Sequence, residues 1–154
     1  MTQVTDLRLP ADRDYVVVAK RTAGAIGAVS GFDVDAVDDL TIAVSQAFEN
    51  AITCLESSGF LTGQVRIAFK RSKRGLEVTV RSSVSREVEL AARAERDRVR
   101  AIELDREAAV QHVETAAATD LALRLMGLFV DRSTYQRNER TGGLRVVLTK
   151  YRDS

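Results

Sequence analysis

Two alternating runs joined by a short turn constrain the fold of this chain more than any other feature. Apolar side chains at residues 65, 67 and 69 alternate with Arg, Ala and Lys, and the pattern repeats over residues 76–81. The turn between them, residues 71–75, ends in glycine. Since a period of two gives a strand one apolar face, this segment is predicted to be a β-hairpin.

The rest of the chain follows two periodicities. Period-two patterns predict three further strands, over residues 4–9, 129–137 and 144–151, the last two joined through Gly142-Gly143. Apolar spacings of three and four residues predict helices over residues 14–30, 34–58 and 88–126. The last is too long for one helix of a compact domain, so a break is expected near residues 116–119, with Thr119 as the next cap. This order predicts an α/β (α+β) two-layer sandwich, with a mixed, largely antiparallel sheet covered by helices on one face.

Composition indicates one globular domain over residues 1–154. The chain is 45% hydrophobic and 29% charged, with a formal net charge of +1. So small a net charge predicts no direct contact with nucleic acid or an anionic membrane. No stretch approaches the roughly 20 apolar residues that span a bilayer, and the N-terminus lacks the features of a signal peptide. The expected location is the cytoplasm.

The most specific pattern lies in residues 43–54. Gln46 and Asn50 are four residues apart on a predicted helix, so their side chains share one face. The amide pair is suited to holding a ligand or the water shell of an ion, but a glutamine cannot take up a proton as a carboxylate does. Cys54, the only cysteine, lies within the apolar pattern and is predicted to be a small buried side chain.

These residues resemble the nucleotide-binding helix of the RsbW-type anti-sigma-factor serine kinases, within the histidine-kinase-like ATPase superfamily. The family motif is glutamate, three residues, then asparagine-alanine; this chain keeps Asn50 and Ala51 and has Gln46 at the position of the general base. Further similar segments follow in the family's order, and they are residues 38–40, 123–126 and 145–149. The resemblance implies the ATP-binding, Bergerat-type fold, with Asn50 as the candidate Mg²⁺ ligand.

The resemblance also implies altered contacts to adenine. The family's aspartate that accepts the adenine amino group corresponds to Ser82, and Val84 stands where a glycine lets the backbone approach the nucleotide. In the closing hairpin Gly143 is kept, but Leu144 replaces a threonine of the adenine network. A serine hydroxyl is a weaker acceptor than a carboxylate.

The contacts to phosphate are altered as well. The glycine-rich lid of the family corresponds to Asp120-Leu121-Ala122, where Asp120 would repel phosphates and Ala122 replaces a glycine. If each lost contact costs about 1–2 kcal/mol, micromolar ATP affinity falls to millimolar or weaker. Replacing a positioned general base with Gln46 removes a further factor of about 10²–10⁴ in rate.

Three function hypotheses follow from this resemblance. The first is an atypical, homodimeric anti-sigma factor that sequesters an alternative sigma factor and is released by a STAS-type anti-anti-sigma protein, with no cofactor and no kinase activity. The second is an active serine kinase dependent on ATP and Mg²⁺, in which Gln46 orients the substrate hydroxyl and Asn50 holds the metal. The third is a pocket lined by Gln46, Asn50 and Ser82 that binds another small ligand.

Overall fold

The computed structural model describes residues 2–60, 62–100, 120–138 and 141–152. Within these ranges there are five strands, namely β1 (Gln3–Pro10), β2 (Gln64–Arg71), β3 (Gly75–Ser83), β4 (Arg132–Arg137) and β5 (Leu144–Tyr151). The α-helices are α1 (Val16–Val29), α2 (Val34–Ser57), α3 (Arg86–Arg100) and α4 (residues 120–126). Short 3₁₀ turns at Arg13–Tyr15 and Gly127–Phe129 precede α1 and follow α4.

The strands form one sheet in the order β1-β2-β3-β5-β4. The predicted sandwich and both predicted hairpins are confirmed, and all four pairings of the described strands are antiparallel. Pro10 ends β1, an edge strand, where its missing N–H interrupts no central pairing. Strand β4 begins at Arg132, later than predicted, because the chain first completes the 3₁₀ turn Gly127–Phe129.

Helix α2 lies across β3 and β5 and has the ends that the sequence predicted. The Asp33 side chain accepts a hydrogen bond from the Ala36 amide at 2.8 Å, which caps the first turn. Gly59 follows the last turn with a φ of 87°. The buried residues of the helix form one broad stripe, and they are Leu40, Ala43, Val44, Ala47, Phe48, Ala51, Ile52, Cys54 and Leu55.

The other helices complete the covered face. Helix α1 packs closely on α2 because Gly27 has no side chain; a Cβ there would lie 3.3 Å from Leu40 Cδ2. Helix α4 contributes the buried side chains of Leu123 and Met126 to the core. The helical region predicted over 88–126 is helical at its described ends, while the predicted break near 116–119 and the cap at Thr119 lie outside the described residues. Within the described ranges, no helix has the length and apolar character needed to cross a membrane.

Candidate functional site

The flank of α2 beside its buried stripe carries the two amides singled out by the sequence. Gln46 is exposed, whereas Asn50 is half-buried one turn further along. Cys54 follows after another turn and is only 4% exposed, as predicted for a small buried side chain. Because residues four apart overlie one another on a helix, Asn50 and Cys54 share this flank.

Ser82 connects the end of β3 to the beginning of β5. Its side chain points to the helix-covered face and is 4% exposed. The Ser82 hydroxyl oxygen accepts a hydrogen bond from the Leu144 backbone N–H at 2.9 Å. This bond lies one residue beyond the last backbone pair of the two strands, Arg81 with Arg145. Leu144 itself is buried in the core, so the side chain that replaces the family's threonine fills apolar space.

The turn between β4 and β5 is packed against the last turns of α2. Gly142 has a φ of 72°, and a Cβ there would overlap the Ser58 side chain and lie 2.8 Å from the Cys54 carbonyl oxygen. A left-handed glycine is therefore required on two grounds, conformation and space. Beside it, the Gly143 N–H donates to the buried Thr141 hydroxyl at 3.1 Å.

Arg137 joins the separate parts of this region. It is the last residue of β4, on the same sheet face as Ser82, and its guanidinium forms an ion pair with the Asp120 carboxylate of α4 at 3.5 Å. The guanidinium is also close enough to α2 to lower the pKa of the Cys54 thiol. Arg137 further lines a groove of about 470 Å³ together with Ser82, Val84, Gly143 and Leu144.

The ionisation of Cys54 reflects this position. Burial raises the pKa of the Cys54 thiol above its ordinary value, since a thiolate is poorly solvated there. The nearby Arg137 acts in the opposite direction through its charge and hydrogen bond, and Asp120 adds to the rise. The net direction is upward, so the thiol is protonated at neutral pH and is a poor nucleophile.

The structure brings together most of the residues that the sequence singled out. Four of them lie at the strand ends and line or adjoin one groove, and these are Ser82, Val84, Gly143 and Leu144. Asp120 joins them through Arg137, and Ala122, two residues further along α4, is half-buried. Gln46 is exposed on α2 and is not among the residues that line this groove.

Sequence reasoning missed Arg137 and Thr141. The signal for Arg137 was present, because the alternation in β4 places residues 133, 135 and 137 on the covered face, where an arginine requires a partner. Thr141 gave no such signal, since its burial depends on how the β4–β5 turn folds back on α2.

A sheet of this strand order, covered by helices in this arrangement, is consistent with the histidine-kinase-like ATPase fold. Residues 9–150 match the histidine kinase-like ATPase domain family, and the chain is a member of that family. The predicted RsbW-type resemblance is confirmed by its relatives. The chain is 32% identical over 75 residues to the serine-protein kinase RsbW of Bacillus licheniformis and 28% identical over 75 residues to that of Oceanobacillus iheyensis.

Each of these two alignments covers 49% of this chain and 47% of the relative. The chain thus spans about half the length of the relatives it matches.

Proposed function

We propose that this chain is an anti-sigma factor of the RsbW type that acts by binding alone. It sequesters an alternative sigma factor of RNA polymerase in the cytoplasm, as a homodimer, and is released when a STAS-type anti-anti-sigma protein competes for it. ATP binding and kinase activity are lost, so exchange of partners depends on their concentrations and relative affinities. The observation that carries the proposal is that Ser82 and Asp120, at positions where the family resemblance implies nucleotide contacts, are used for contacts within the chain, to Leu144 and Arg137.

The strand ends support the loss of adenine binding. Recognition of the adenine amino group needs an acceptor, but the acceptor oxygen of Ser82 is engaged by the Leu144 N–H and is almost fully buried. Arg137, which lines the same groove, supplies only N–H donors and cannot accept a hydrogen bond from that amino group. Neither Ser82 nor Arg137 therefore presents an exposed acceptor oxygen to the adenine amino group.

The position of Asp120 supports the loss of phosphate binding. The family resemblance implies glycines at this position and at Ala122, which let backbone N–H groups approach the phosphates. In this chain Asp120 carries a negative charge at that place and is paired with Arg137. A nucleotide would have to break this ion pair and approach the carboxylate, and both steps oppose binding.

The surface of α4 supports a role in protein binding. Leu121, Leu125 and Leu128 follow one another at helical spacing and are 59%, 51% and 77% exposed. Three neighbouring leucines exposed in this way form an apolar stripe, which is a common mark of a protein interface. The family resemblance implies sigma-factor contacts through two surfaces, the first helix and the lid side of the domain. The leucine stripe lies on the lid side, because Leu121 belongs to the segment that corresponds to the family's lid.

The test is reconstitution with purified alternative sigma factors on a sizing column, without nucleotide. The proposal expects a stable complex with one of them, unchanged by added Mg-ATP. Changing Leu121 and Leu125 to Glu should abolish the complex, whereas Leu90→Glu on α3, also an exposed leucine, should leave it intact. Failure of every sigma factor to bind, or binding only with Mg-ATP, contradicts the proposal.

The kinase alternative predicts a different result in calorimetry. An active enzyme binds Mg-ATP at micromolar concentration and transfers phosphate to its antagonist, and either finding refutes the proposed loss. We also expect that Gln46→Glu alone does not restore phosphoryl transfer, because Ser82, Asp120 and Arg137 remain as they are. Micromolar binding of a small molecule other than ATP in the groove beside Ser82 would instead favour the hypothesis of an altered ligand pocket.

A further inference from the structure

The sheet face opposite the one that α1, α2 and α4 cover carries a row of arginines. The strand registers place Arg8 of β1 opposite Arg66, Arg66 opposite Arg81, and Arg81 opposite Arg145. All four side chains are exposed. With neighbouring strands about 4.8 Å apart, the row extends for about 14 Å. The register, rather than the sequence spacing, creates this line of positive charge.

Arg81 and Arg145 form the end of the row that lies on β3 and β5, away from Asp6. Directly opposite residues on one sheet face lie close together, so two arginines there repel each other and destabilise the free protein. Within the described residues, no carboxylate lies within ion-pair distance of either guanidinium. The pair also lines the groove together with Gln136 and Ser83. An anion shared between the two side chains would relieve their repulsion.

Arg66 shows which anion the row accepts. Its guanidinium binds the Asp6 carboxylate of β1 with two hydrogen bonds, one of them from Nε to Oδ1 at 2.8 Å. This contact holds the pKa of Asp6 below its ordinary value. A planar, two-bond pairing of this kind is specific for carboxylate or phosphate groups, and here the bound group is a carboxylate.

The residues next to the arginine row have small side chains, and only one of them is charged. Two residues along each strand, on the same face, is a second row in register, which consists of Asp6, Ala68, Thr79, Val147 and Thr134. Ala68, Thr79 and Val147 are half-buried and form a shallow floor next to the charged line. The surface therefore combines a narrow basic line with a strip for small apolar contacts.

We propose that this face, from Arg8 to Arg145, is a docking surface for an acidic segment of a partner protein. A stretch of polypeptide with carboxylates along one side matches both the narrow basic line and the adjoining apolar strip. Duplex nucleic acid requires a broader basic field than one row, in a chain whose net charge is +1. A second copy of this chain, docked face to face, would place arginine rows against each other.

The experiment measures fluorescence anisotropy of a labelled oligoglutamate, with oligoglutamine and oligothymidylate of equal length as comparison probes. Oligoglutamate should bind, more weakly as salt rises, and oligoglutamine should not. Changing Arg81 and Arg145 to Gln should weaken oligoglutamate binding about tenfold. Melting temperature serves as the check on folding and should stay equal or rise, because the repulsion between the two arginines is removed.

The matched control changes Lys73 and Arg74 to Gln in the β2–β3 turn, which removes the same charge from exposed positions away from the row. Its effect on binding should be less than about twofold. If the two variants lose the same amount of oligoglutamate affinity, the binding depends only on net charge, and the proposal is overturned. Tighter binding of oligothymidylate than of oligoglutamate, with the same dependence on Arg81 and Arg145, overturns it in favour of a nucleic-acid surface.

Asp6→Asn is a second variant, which should strengthen oligoglutamate binding rather than weaken it. Removing the internal carboxylate releases Arg66 for an external one, so oligoglutamate should bind more tightly, by about threefold. Asp14→Asn, an exposed acid remote from the sheet face, controls for the change in net charge. Unchanged or weaker binding by Asp6→Asn, or an equal gain with Asp14→Asn, contradicts the proposed surface. This inference does not depend on the sigma-factor role.

Discussion

The two sides of α2 show how differently a scaffold and a site are specified. The side that faces the sheet and α1 is made almost entirely of apolar residues, among them Val44, Phe48 and Ala51, each buried by the same packing. The flank that carries Asn50 and Cys54 has its surroundings built from other segments, through Arg137 of β4 and Asp120 of α4. The buried side is specified by a repeated hydrophobic pattern, whereas the flank depends on contacts between individual side chains from different segments.

This difference explains how the fold persists while the site changes. The buried side needs only apolar residues at the right spacing and volume, so many sequences satisfy it. The flank depends on single groups with fixed hydrogen-bonding roles, so a change at Ser82 or Asp120 alters its chemistry without disturbing the core. The following predictions test whether the two sides are as separable as this comparison implies.

The largest expected effect belongs to the buried side. Phe48→Ala removes a fully buried ring and should lower the free energy of unfolding by about 3–5 kcal/mol. Asn50→Ala, on the flank of the same helix, should change it by less than about 1 kcal/mol. Urea denaturation of both variants measures the difference. A loss for Asn50→Ala comparable to that of Phe48→Ala would show that the flank is part of the scaffold.

The sequence predicted the scaffold well because its signals are local. The hairpin around residues 71–75, the cap at Asp33 and the end at Gly59 each follow from neighbouring residues and are confirmed. The use of Arg137 and Thr141 could not be predicted in the same way, since their partners are distant in the chain and are brought near only by the closing hairpin. The arginine row could not be predicted from the sequence either, because it depends on the register in which four strands pair.

The second effect concerns the contact between the β4–β5 turn and α2. Gly142→Ala should lower the free energy of unfolding by about 2–4 kcal/mol, because the added Cβ is strained at positive φ and also overlaps the Ser58 side chain. Gly31→Ala is the matched control, with a φ of 85° but no atom within 4 Å of the added Cβ, and should cost about 1 kcal/mol. Equal losses would mean that the turn does not press on α2 as described.

A smaller effect is expected where Ser82 ties β3 to β5. Ser82→Ala leaves the buried Leu144 N–H without its acceptor and should cost about 1–3 kcal/mol. Ser83→Ala, on the exposed face of the same strand, should be close to neutral. Chemical denaturation gives both values, and amide hydrogen exchange at Leu144 should accelerate only in Ser82→Ala. If both variants were neutral, Ser82 would be free to serve a ligand instead.

The smallest effect is a dependence on alkaline pH through Cys54. Because burial raises the pKa of the folded thiol above the unfolded value, the folded state holds this proton more tightly. The resulting stabilisation is complete below the ordinary thiol pKa of about 8.5 and is lost as pH rises through the folded value. Unfolding measured from neutral to alkaline pH should therefore show a decline that Cys54→Ala reduces.

A change at Arg137 tests the same pKa from the other direction, because its guanidinium opposes the rise in the pKa of Cys54. Arg137→Gln removes a nearby positive charge and a donor to sulfur, so the Cys54 pKa should rise further. The difference in ultraviolet absorbance between each protein and its Cys54→Ala counterpart isolates the thiolate from the tyrosines. If the titration of Cys54 were the same with and without Arg137, the guanidinium would not lie against this flank of α2, and the separate parts of the site would lose the residue that joins them.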